Sequence, residues 1–294
     1  MPWLQLTFET TPEDADQFSD LLSEAGANAV TFLDSADQPL YEPPVGETPL
    51  WSRTRTIGLF EATADMPAVL EHIRQAIAPK ALPDHRISPL EDKDWEREWM
   101  DNFKPMPFGK RLWIVPSWTQ PPHPEAINIL LDPGLAFGTG THPTTALCLQ
   151  WLDANGADHA EVIDYGCGSG ILAVAAAMLG AGHVWAVDND PQALIATRDN
   201  AEKNGVTEKI TVVLPGALPE VKTPLLLANI LAQPLMEFAE RFAAHVSPGG
   251  HIVLSGILTE QAEQVAACYR PWFAMETPVY KDEWVRLSGR RLDE

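Results

Sequence analysis

Positive charge is scarce in this sequence. Among its 294 residues, 20 Lys and Arg stand against 41 Asp and Glu, which gives a formal net charge of −21. Such a deficit argues against direct binding of nucleic acid, because phosphates require a basic surface. It is compatible with a basic protein partner, and equally with acidity that only keeps a cytoplasmic protein soluble.

Cysteine is scarce as well. Cys148, Cys167 and Cys268 lie far apart in the sequence and form no C-x-x-C pair. This spacing excludes a disulfide framework and a cysteine zinc site, and it indicates a reducing compartment. We therefore expect a cytoplasmic protein whose functional site holds no metal.

Long hydrophobic runs are absent. The most apolar stretch, ILAVAAAMLGAGHVWAV (171–187), is interrupted by Gly180, Gly182 and His183 and is too short to span a bilayer. The N-terminal MPWLQLTFET has no basic region and no long apolar core, so we expect no signal peptide. Because 45% of the residues are hydrophobic, the chain can bury a core. We expect a monomer without membrane contact.

The first ninety residues show a pattern of short strands and two helices. WLQLTFE (3–9) alternates apolar and polar residues as a strand does. TPEDADQFSDLLSEAG (11–26) has a proline in its first turn, apolar residues at helical spacing and a final glycine. The predicted order, β-α-β-β-α-β, is that of a ferredoxin-like α+β domain. That fold has no inherent chemistry, so we interpret residues 1–90 as an interaction domain.

A charged, aromatic segment follows. In EDKDWEREWMDNFKP (91–105), Trp95, Trp99 and Phe103 recur every four residues, as on one face of a helix. We predict a connecting helix whose aromatic side chains pack on a neighbouring domain, in preference to a ligand site.

From residue 106 to residue 294, short apolar runs alternate with helical ones. INILLD, EVIDYG, VWAVDN, ITVVLP, LLLANI and HIVLSGI are the predicted strands, and stretches such as TTALCLQWLD, ILAVAAAMLG and LMEFAERFAAHV are the predicted helices. This alternation predicts a doubly wound α/β domain with a mostly parallel sheet covered on both faces. Near the C-terminus, two extended runs around Lys281 and Asp282 predict a hairpin at one edge of the sheet.

The segment VIDYGCGSGILAVAAAM (162–178) predicts a strand, a glycine turn and a helix. Gly166, Gly168 and Gly170 would lie at the carboxyl end of the strand, where such sheets bind ligands. The next strand ends in Asp188, whose carboxylate can accept two hydrogen bonds from a ribose diol. The pattern indicates an adenosine-like ligand.

The spacing of the glycines distinguishes between the candidate ligands of this turn. A dinucleotide fingerprint is G-x-G-x-x-G, but the third glycine position of that pattern is Ile171 here. Asp164, two residues before the first glycine, suits an ammonium group such as that of a methionine moiety and would lie poorly beside a pyrophosphate. No G-K-[ST] follows, so a phosphate-binding P-loop is not expected. D-x-G-x-G-x-G with a later acidic residue is typical of S-adenosylmethionine methyltransferases of class I, which have a seven-stranded sheet.

A third strand end carries Asn229, in LLLANILAQP (225–234). Amine-directed and amide-directed methyltransferases have an Asn here, often in an N-P-P-[YF] run that this sequence replaces with N-I-L-A. Asn229 can accept a hydrogen bond from a target nitrogen and orient its lone pair. The alternative is that it only caps the end of a strand.

Four segments, LDPGLAFGTGTHPTT (131–145), VIDYGCGSGILA, VDNDPQAL and ANIL, closely resemble the ribosomal protein L-eleven methyltransferases, the PrmA family. The resemblance covers nearly the whole chain. It implies methyl transfer from S-adenosylmethionine to lysine side chains and the N-terminal amine of a large-subunit ribosomal protein. It also implies that residues 1–90 recognise the substrate, that a flexible connector (91–105) lets that domain swing, and that residues 106–294 are catalytic.

The resemblance also assigns residues. Cofactor contacts would come from Gly138, Thr139, Thr145, Asp164, Gly166, Gly168, Asp188 and Asn229. Phe137, Gly138 and Thr139 would line the methyl-transfer pocket, with Phe137 and Asn229 as the catalytic pair. Phe137 would stabilise the sulfonium by a cation–π contact, or act only as a hydrophobic lid. We expect no obligatory general base, and we interpret His142 as structural more readily than as a proton acceptor.

Three other functions stay open at this point. The first is an S-adenosylmethionine-dependent methyltransferase with another acceptor: another protein, RNA, a small molecule or a glutamine side chain. The net charge disfavours RNA, and N-I-L-A disfavours glutamine. The second is a nicotinamide dehydrogenase, which Asp164 and the glycine spacing disfavour. The third is a binding module without catalysis, which an intact set of Asp164, Asp188 and Asn229 makes hard to explain.

Overall fold

The computed structural model describes residues 3–36, 38, 49–90, 103–132, 140, 142–158 and 160–293. The chain forms two compact units, Met1–Met100 and Asp101–Glu294. The predicted connecting helix lies mostly outside the described residues, so the three-part division at residues 90 and 105 stays a prediction.

The N-terminal unit has the predicted ferredoxin-like fold. Its elements are β1 (Trp3–Thr10), α1 (Pro12–Glu24), β2 (Ala29–Asp34), β3 (Thr54–Glu61), α2 (Met66–Ala76) and β4 (His85–Leu90). The antiparallel sheet has the strand order β2-β3-β1-β4, and the two helices supply the crossovers. Leu6, Phe8 and Phe60 on the sheet pack against Phe18, Leu22 and Ile73 of the helices to form the core of this unit.

The second unit begins with a small sheet of its own. It contains β5 (Met106–Phe108), β6 (Leu112–Val115) and β7 (Ile127–Leu130). The run INILLD was predicted as a strand of the large parallel sheet. It does form a strand, β7, but its assignment to the large sheet is wrong. Instead, β7 pairs in parallel with β6, which pairs antiparallel with β5, because the short LWIV run forms a strand that the sequence pattern did not reveal.

The large sheet contains β8 (Glu161–Tyr165), β9 (His183–Val187), β10 (Ile210–Val213), β11 (Thr223–Asn229), β12 (Val246–Leu258), β13 (Phe273–Met275), β14 (Val279–Lys281) and β15 (Trp284–Arg291). Their order is β10-β9-β8-β11-β12-β15-β13, and β14 also pairs with the outer side of β15. The strands β8 to β12 are mutually parallel, and the C-terminal hairpin adds antiparallel strands, so the predicted mostly parallel sheet is confirmed. It has eight strands and not the predicted seven, because the extended run before Lys281 and Asp282 forms two short strands, β13 and β14, that pair with different parts of β15.

Helices cover both faces of this sheet, as the doubly wound prediction requires. One face packs against α3 (Pro143–Asn155), α4 (Ile171–Met178) and α5 (Pro191–Lys203), and the other against α6 (Ala232–Glu237), α7 (Ala239–His245) and α8 (Ala262–Tyr269). The stretch LMEFAERFAAHV was predicted as one helix. It forms two, because the backbone turns at Phe238, whose ring packs against Tyr165 at 5.6 Å between centroids.

A buried carboxylate joins the small sheet to α3. Asp153 is 6% exposed, and it accepts backbone N–H groups from Lys110, Arg111 and Leu112 at 2.7, 2.8 and 2.9 Å. The turn has no room for a side chain at Gly109, since a Cβ there would lie 2.2 Å from Asp153 Oδ2. One side chain therefore fixes the turn between β5 and β6.

We expect Asp153→Ala to destabilise the protein by about 3 kcal/mol, because hydrogen bonds to a charged acceptor contribute about 1.5–3 kcal/mol each and water replaces only some of them. Urea unfolding monitored by circular dichroism measures the loss. Asp199→Ala is the matched control, since Asp199 is an exposed helical aspartate. Equal stability of the two variants would contradict this role for Asp153.

Among the described residues, no helix is long and apolar enough to cross a membrane. Within the same part of the chain, no group of three or more His, Cys, Asp or Glu side chains is placed to hold a metal ion.

Candidate functional site

The glycine turn between β8 and α4 has the conformation that its sequence predicts. Gly166, Gly168 and Gly170 have φ values of 78°, 55° and 77°, a region that residues with a Cβ rarely adopt. The space is also closed: a Cβ on Gly166 would lie 2.1 Å from Ile230 Cγ2, and one on Gly170 would lie 2.7 Å from the Thr197 side chain. Glycine is therefore required at Gly166 and Gly170, and the positive φ favours it at Gly168 as well.

Asp164 is buried beneath this turn, at 1% exposure. Its Oδ2 accepts the Ala173 N–H at the start of α4, at 2.9 Å. Its Oδ1 is buried and has no hydrogen-bond partner among the residues that the structure describes. Burial raises the pKa of Asp164 to about 7; the Ala173 N–H opposes this rise and the negative charge of Asp188 adds to it. A cation at Oδ1 would therefore relieve a substantial desolvation cost.

Asp188 directly follows β9 and connects the turn to the next helix. Its Oδ2 accepts the Gly168 N–H at 2.9 Å, and its Oδ1 accepts the Asp190 N–H at 3.0 Å. The side chain is only partly buried, and each carboxylate oxygen can accept a second hydrogen bond. Asp188 can thus receive two hydroxyl groups at the mouth of the turn.

Asn229 ends β11, the strand beside β8 in the sheet. Its Nδ2 donates to Thr145 Oγ1 at 3.2 Å, across 84 residues of sequence. Its Oδ1 is buried and lacks a hydrogen-bond partner within the described part of the chain. Because Thr145 engages the amide nitrogen, the carbonyl oxygen is the atom left to accept a hydrogen bond from a ligand.

His142 has the structural role that the sequence favoured. It is the N-cap of α3: its Nδ1 accepts the Thr144 N–H at 3.4 Å and lies 2.8 Å from Thr144 Oγ1. Its ring packs edge-on against Trp284, at 4.8 Å between centroids, and burial lowers the pKa of the imidazole. Since Thr144 occupies Nδ1, this nitrogen is not available to accept a proton from a substrate.

The structure brings six of the predicted site residues to one edge of the large sheet. They lie on the carboxyl ends of β8, β9 and β11 and on the first turn of α3: Thr145, Asp164, Gly166, Gly168, Asp188 and Asn229. Phe137, Gly138 and Thr139 lie outside the described residues. Nearby, Gly140 has a φ of 84°, and a Cβ there would lie 2.4 Å from Ile114 Cδ1 of β6.

Sequence reasoning missed a row of polar side chains on α5 and at its C-cap, Asn204. Thr197, Asn200 and Asn204 donate hydrogen bonds to backbone carbonyl groups of the glycine turn and of β7. Their spacing of three and four residues was the available signal, since a buried helical face is normally apolar.

The strand order and the glycine turn after the central strand β8 define a class I S-adenosylmethionine-dependent methyltransferase fold. The sequence narrows this class further. The chain belongs to the family described as ribosomal protein L11 methyltransferase (PrmA), whose sequence profile matches residues 2–292.

Individual relatives agree with this assignment. A ribosomal protein L11 methyltransferase of Marinobacter nauticus is 56% identical over 100% of both chains. One from Nitrosococcus oceani is 54% identical, over 99% of this chain and 100% of the relative. The crystal structure of ribosomal protein L11 methylase from Lactobacillus delbrueckii subsp. bulgaricus is 31% identical, superposes with a TM-score of 0.60, and covers 65% of this chain and 100% of its own.

Proposed function

We propose that this protein transfers methyl groups from S-adenosylmethionine to lysine side chains and the N-terminal α-amine of ribosomal protein L11. The observation that carries the proposal is a pair of buried acceptor oxygens, Asp164 Oδ1 and Asn229 Oδ1, on adjacent parallel strands. Neither has a hydrogen-bond partner among the described residues, so each is suited to a donor group on a ligand. The names of the relatives support the same activity and the same acceptor.

The cofactor would lie across the glycine turn. Asp164 would hold its ammonium group through Oδ1, and Asp188 would accept its ribose hydroxyls. Gly166 and Gly168 would let the backbone approach the ligand without a Cβ in the way. The buried carboxylate of Asp164 beneath the turn suits a cationic group and would repel a pyrophosphate, whereas the ribose contact of Asp188 is compatible with either kind of cofactor.

Bound S-adenosylmethionine supplies an electrophilic methyl carbon and a neutral thioether as the leaving group. The acceptor must be a neutral amine, so a lysine with a pKa near ~10.4 must first lose a proton. A pocket with little water lowers that pKa because it disfavours the ammonium. Asn229 Oδ1 would then accept an N–H of the amine and direct its lone pair towards the methyl carbon. Alignment of this kind accounts for much of an enzymatic rate.

Phe137 would face the sulfonium, with Gly138 and Thr139 beside it. A cation–π contact of this kind contributes up to about 2 kcal/mol when it is desolvated. This part of the proposal is supported by the resemblance of residues 131–145 to the family and by the position of Gly140 against β6. Repeated methylation of one amine would require space and no dedicated base.

We also propose that residues 1–90 recognise the substrate. The ferredoxin-like unit has a core of its own, and the candidate site residues all belong to the second unit. We keep the expectation from the sequence, that the protein acts as a monomer, as a further part of this proposal. Its unpaired cysteines and net charge of −21 are consistent with the cytoplasm.

Asp188→Ala should raise the Kd for S-adenosylmethionine about tenfold, since a lost charge-assisted hydrogen bond of about 1.4 kcal/mol corresponds to that factor. Calorimetric titration measures the change. The neighbouring Asp190→Ala is the control, because Asp190 caps α5 through the Gln192 N–H and has no proposed ligand contact. If both variants bound the cofactor like the wild type, the ribose assignment would be wrong.

The function itself is tested by incubating the protein with methyl-labelled S-adenosylmethionine and an unmethylated ribosomal extract. We expect label in one protein of the large subunit. Label in RNA or in small molecules would support the assignment of the cofactor but contradict the proposed acceptor. No label at all, with folded protein, would contradict the methyltransferase activity.

A further inference from the structure

Leu231 breaks two local rules of its position in the chain. It is a large hydrophobic residue that is 53% exposed, and it is the N-cap of α6, where it makes no side-chain hydrogen bond. An N-cap favours Ser, Thr, Asp or Asn, because their side-chain oxygen accepts a backbone N–H of the first helical turn, and leucine cannot do this. Proteins break such rules mainly where function requires it. Leu231 is therefore a candidate for a role beyond the stability of the fold.

The backbone around Leu231 is held on both sides. A Cβ on Gly256 of β12 would lie 2.2 Å from Ile230 O, and one on Gly166 would lie 2.1 Å from Ile230 Cγ2. Ile230 is thus packed closely between the end of β12 and the glycine turn. On the other side, the Leu231 carbonyl group accepts the Leu235 N–H at 3.2 Å. The exposed leucine side chain therefore starts from a backbone with a defined position.

That position is on the acceptor side of the candidate site. Leu231 is two residues from Asn229, and two residues of extended chain span at most about 7 Å. Leu214 is also exposed, at 49%, but it directly follows the β10 residue whose carbonyl group accepts the Asp188 N–H. Leu214 is therefore on the cofactor side of the site, whereas Leu231 is on the side of Asn229.

The two proposed kinds of acceptor differ in what they carry behind the nitrogen. Lysine carries its ammonium on a flexible stem of four methylene groups, and such a stem gains free energy when it leaves water against another apolar surface. The N-terminal α-amine has no such stem, because its nitrogen is bonded directly to Cα. An exposed leucine beside Asn229 therefore offers a contact to lysine that the α-amine cannot use.

We propose that Leu231 is a specificity-determining residue that packs against the methylene stem of the acceptor lysine. This inference rests on the proposed function, and it goes beyond that function by assigning a preference for lysine over the N-terminal amine to one side chain. Because the Ile230 backbone lies against Gly256, Leu231 stays at a constant distance from Asn229 Oδ1, to which we assign the amine.

Leu231→Ser separates this role from a structural one. The ratio of methyl groups on lysine Nζ atoms to methyl groups on the N-terminal nitrogen should fall about tenfold, since the loss of a small apolar contact has an effect of this size. The Kd for S-adenosylmethionine should stay within about twofold of the wild type. Serine can cap α6, so the melting temperature should rise by about 2–4 °C.

Two further variants are matched to this one. Leu231→Met keeps the apolar bulk and should retain the wild-type ratio of methylated amines. Leu292→Ser removes another exposed leucine of the same unit, and it should change neither that ratio nor the Kd. Tandem mass spectrometry of ribosomal protein L11 after a short incubation measures the ratio, calorimetric titration measures the Kd, and thermal unfolding measures the melting temperature.

An unchanged ratio in Leu231→Ser would overturn the inference. So would an equal loss of methyl groups from both kinds of amine, or a lower melting temperature, because Leu231 would then serve the fold or the site as a whole. A wild-type protein that left ribosomal protein L11 unmodified would overturn the proposed function together with this inference. If the wild type methylates both kinds of amine, an unchanged ratio in Leu231→Ser contradicts only the role of Leu231.

Discussion

Asn229→Ala is expected to lower kcat for methyl transfer about 100-fold. The reason is the environment of the side-chain oxygen of Asn229. Asn229 Nδ2 is engaged by Thr145, so Oδ1 is the acceptor that faces the site, and it is buried without a partner among the described residues. Alanine removes the only side-chain atom that we assign to holding the amine lone pair in line with the methyl carbon.

Single-turnover kinetics at saturating S-adenosylmethionine measure this loss. Thr145→Val is the matched variant, because it keeps the shape of Thr145 and removes the acceptor for Asn229 Nδ2. The amide would then be free to rotate, and kcat should fall by less than in Asn229→Ala. A loss of cofactor affinity as large as the loss of kcat would reassign Asn229 to cofactor binding, and wild-type turnover would remove it from the mechanism.

Asp164→Asn is expected to raise the Kd for S-adenosylmethionine about 100-fold at pH 8, because it leaves a buried ammonium without its counter-charge. Asparagine keeps the size of the side chain and can still accept the Ala173 N–H. The change therefore removes charge and little else. A control is Asp199→Ala, which removes an exposed carboxylate of the same unit.

The pH dependence of binding gives a sharper test of the same residue. Burial raises the pKa of Asp164 to about 7, so the carboxyl is mostly protonated below that pH and must ionise to bind an ammonium. The wild-type Kd should therefore rise about tenfold for each unit by which the pH falls below 7. It should also rise above about pH 8, where an α-amine loses its proton.

In Asp164→Asn both arms of this profile should flatten: the acidic arm because the titrating carboxyl is gone, and the basic arm because the ligand ammonium has lost its counter-charge. Calorimetric titration between pH 5.5 and pH 9 (a range of roughly two units around the expected pKa values) provides the curve. A wild-type Kd that did not change across the acidic half would contradict the assignment of Asp164 to the ammonium.

Much of the fold could be predicted because its signals are local. The parallel strands β8, β9 and β11 are short apolar runs between helical ones, and the glycines after β8 require positive φ values. The strand β7 shows where this approach fails. Its pattern fits a strand, but its partner is β6, a short strand whose entry at Leu112 is held by the carboxylate of the helical Asp153, 41 residues further along the chain, and no local pattern shows that contact.

The candidate site likewise contains some features that the sequence predicts and others that it does not. Asp164, Asp188 and Asn229 were predictable because each comes at the end of a strand, and the ends of parallel strands meet at one edge of a sheet. The hydrogen bond between Asn229 and Thr145 was not, since it joins residues 84 apart and depends on how α3 packs. The polar row of Thr197, Asn200 and Asn204 was visible in the sequence as a spacing of three and four residues. Its role could not be predicted, because that role depends on which backbone carbonyl groups the side chains contact.

The central claim, that the site methylates amines of a ribosomal protein, is tested most directly by mapping the methyl groups. Ribosomal protein L11 from cells without this enzyme would be incubated with the protein and S-adenosylmethionine and then sequenced by tandem mass spectrometry. We predict methyl groups on lysine Nζ atoms and on the N-terminal nitrogen, and none after incubation with Asn229→Ala for the same short time. Methyl groups on glutamine or on an oxygen atom, or an unmodified protein, would contradict the account.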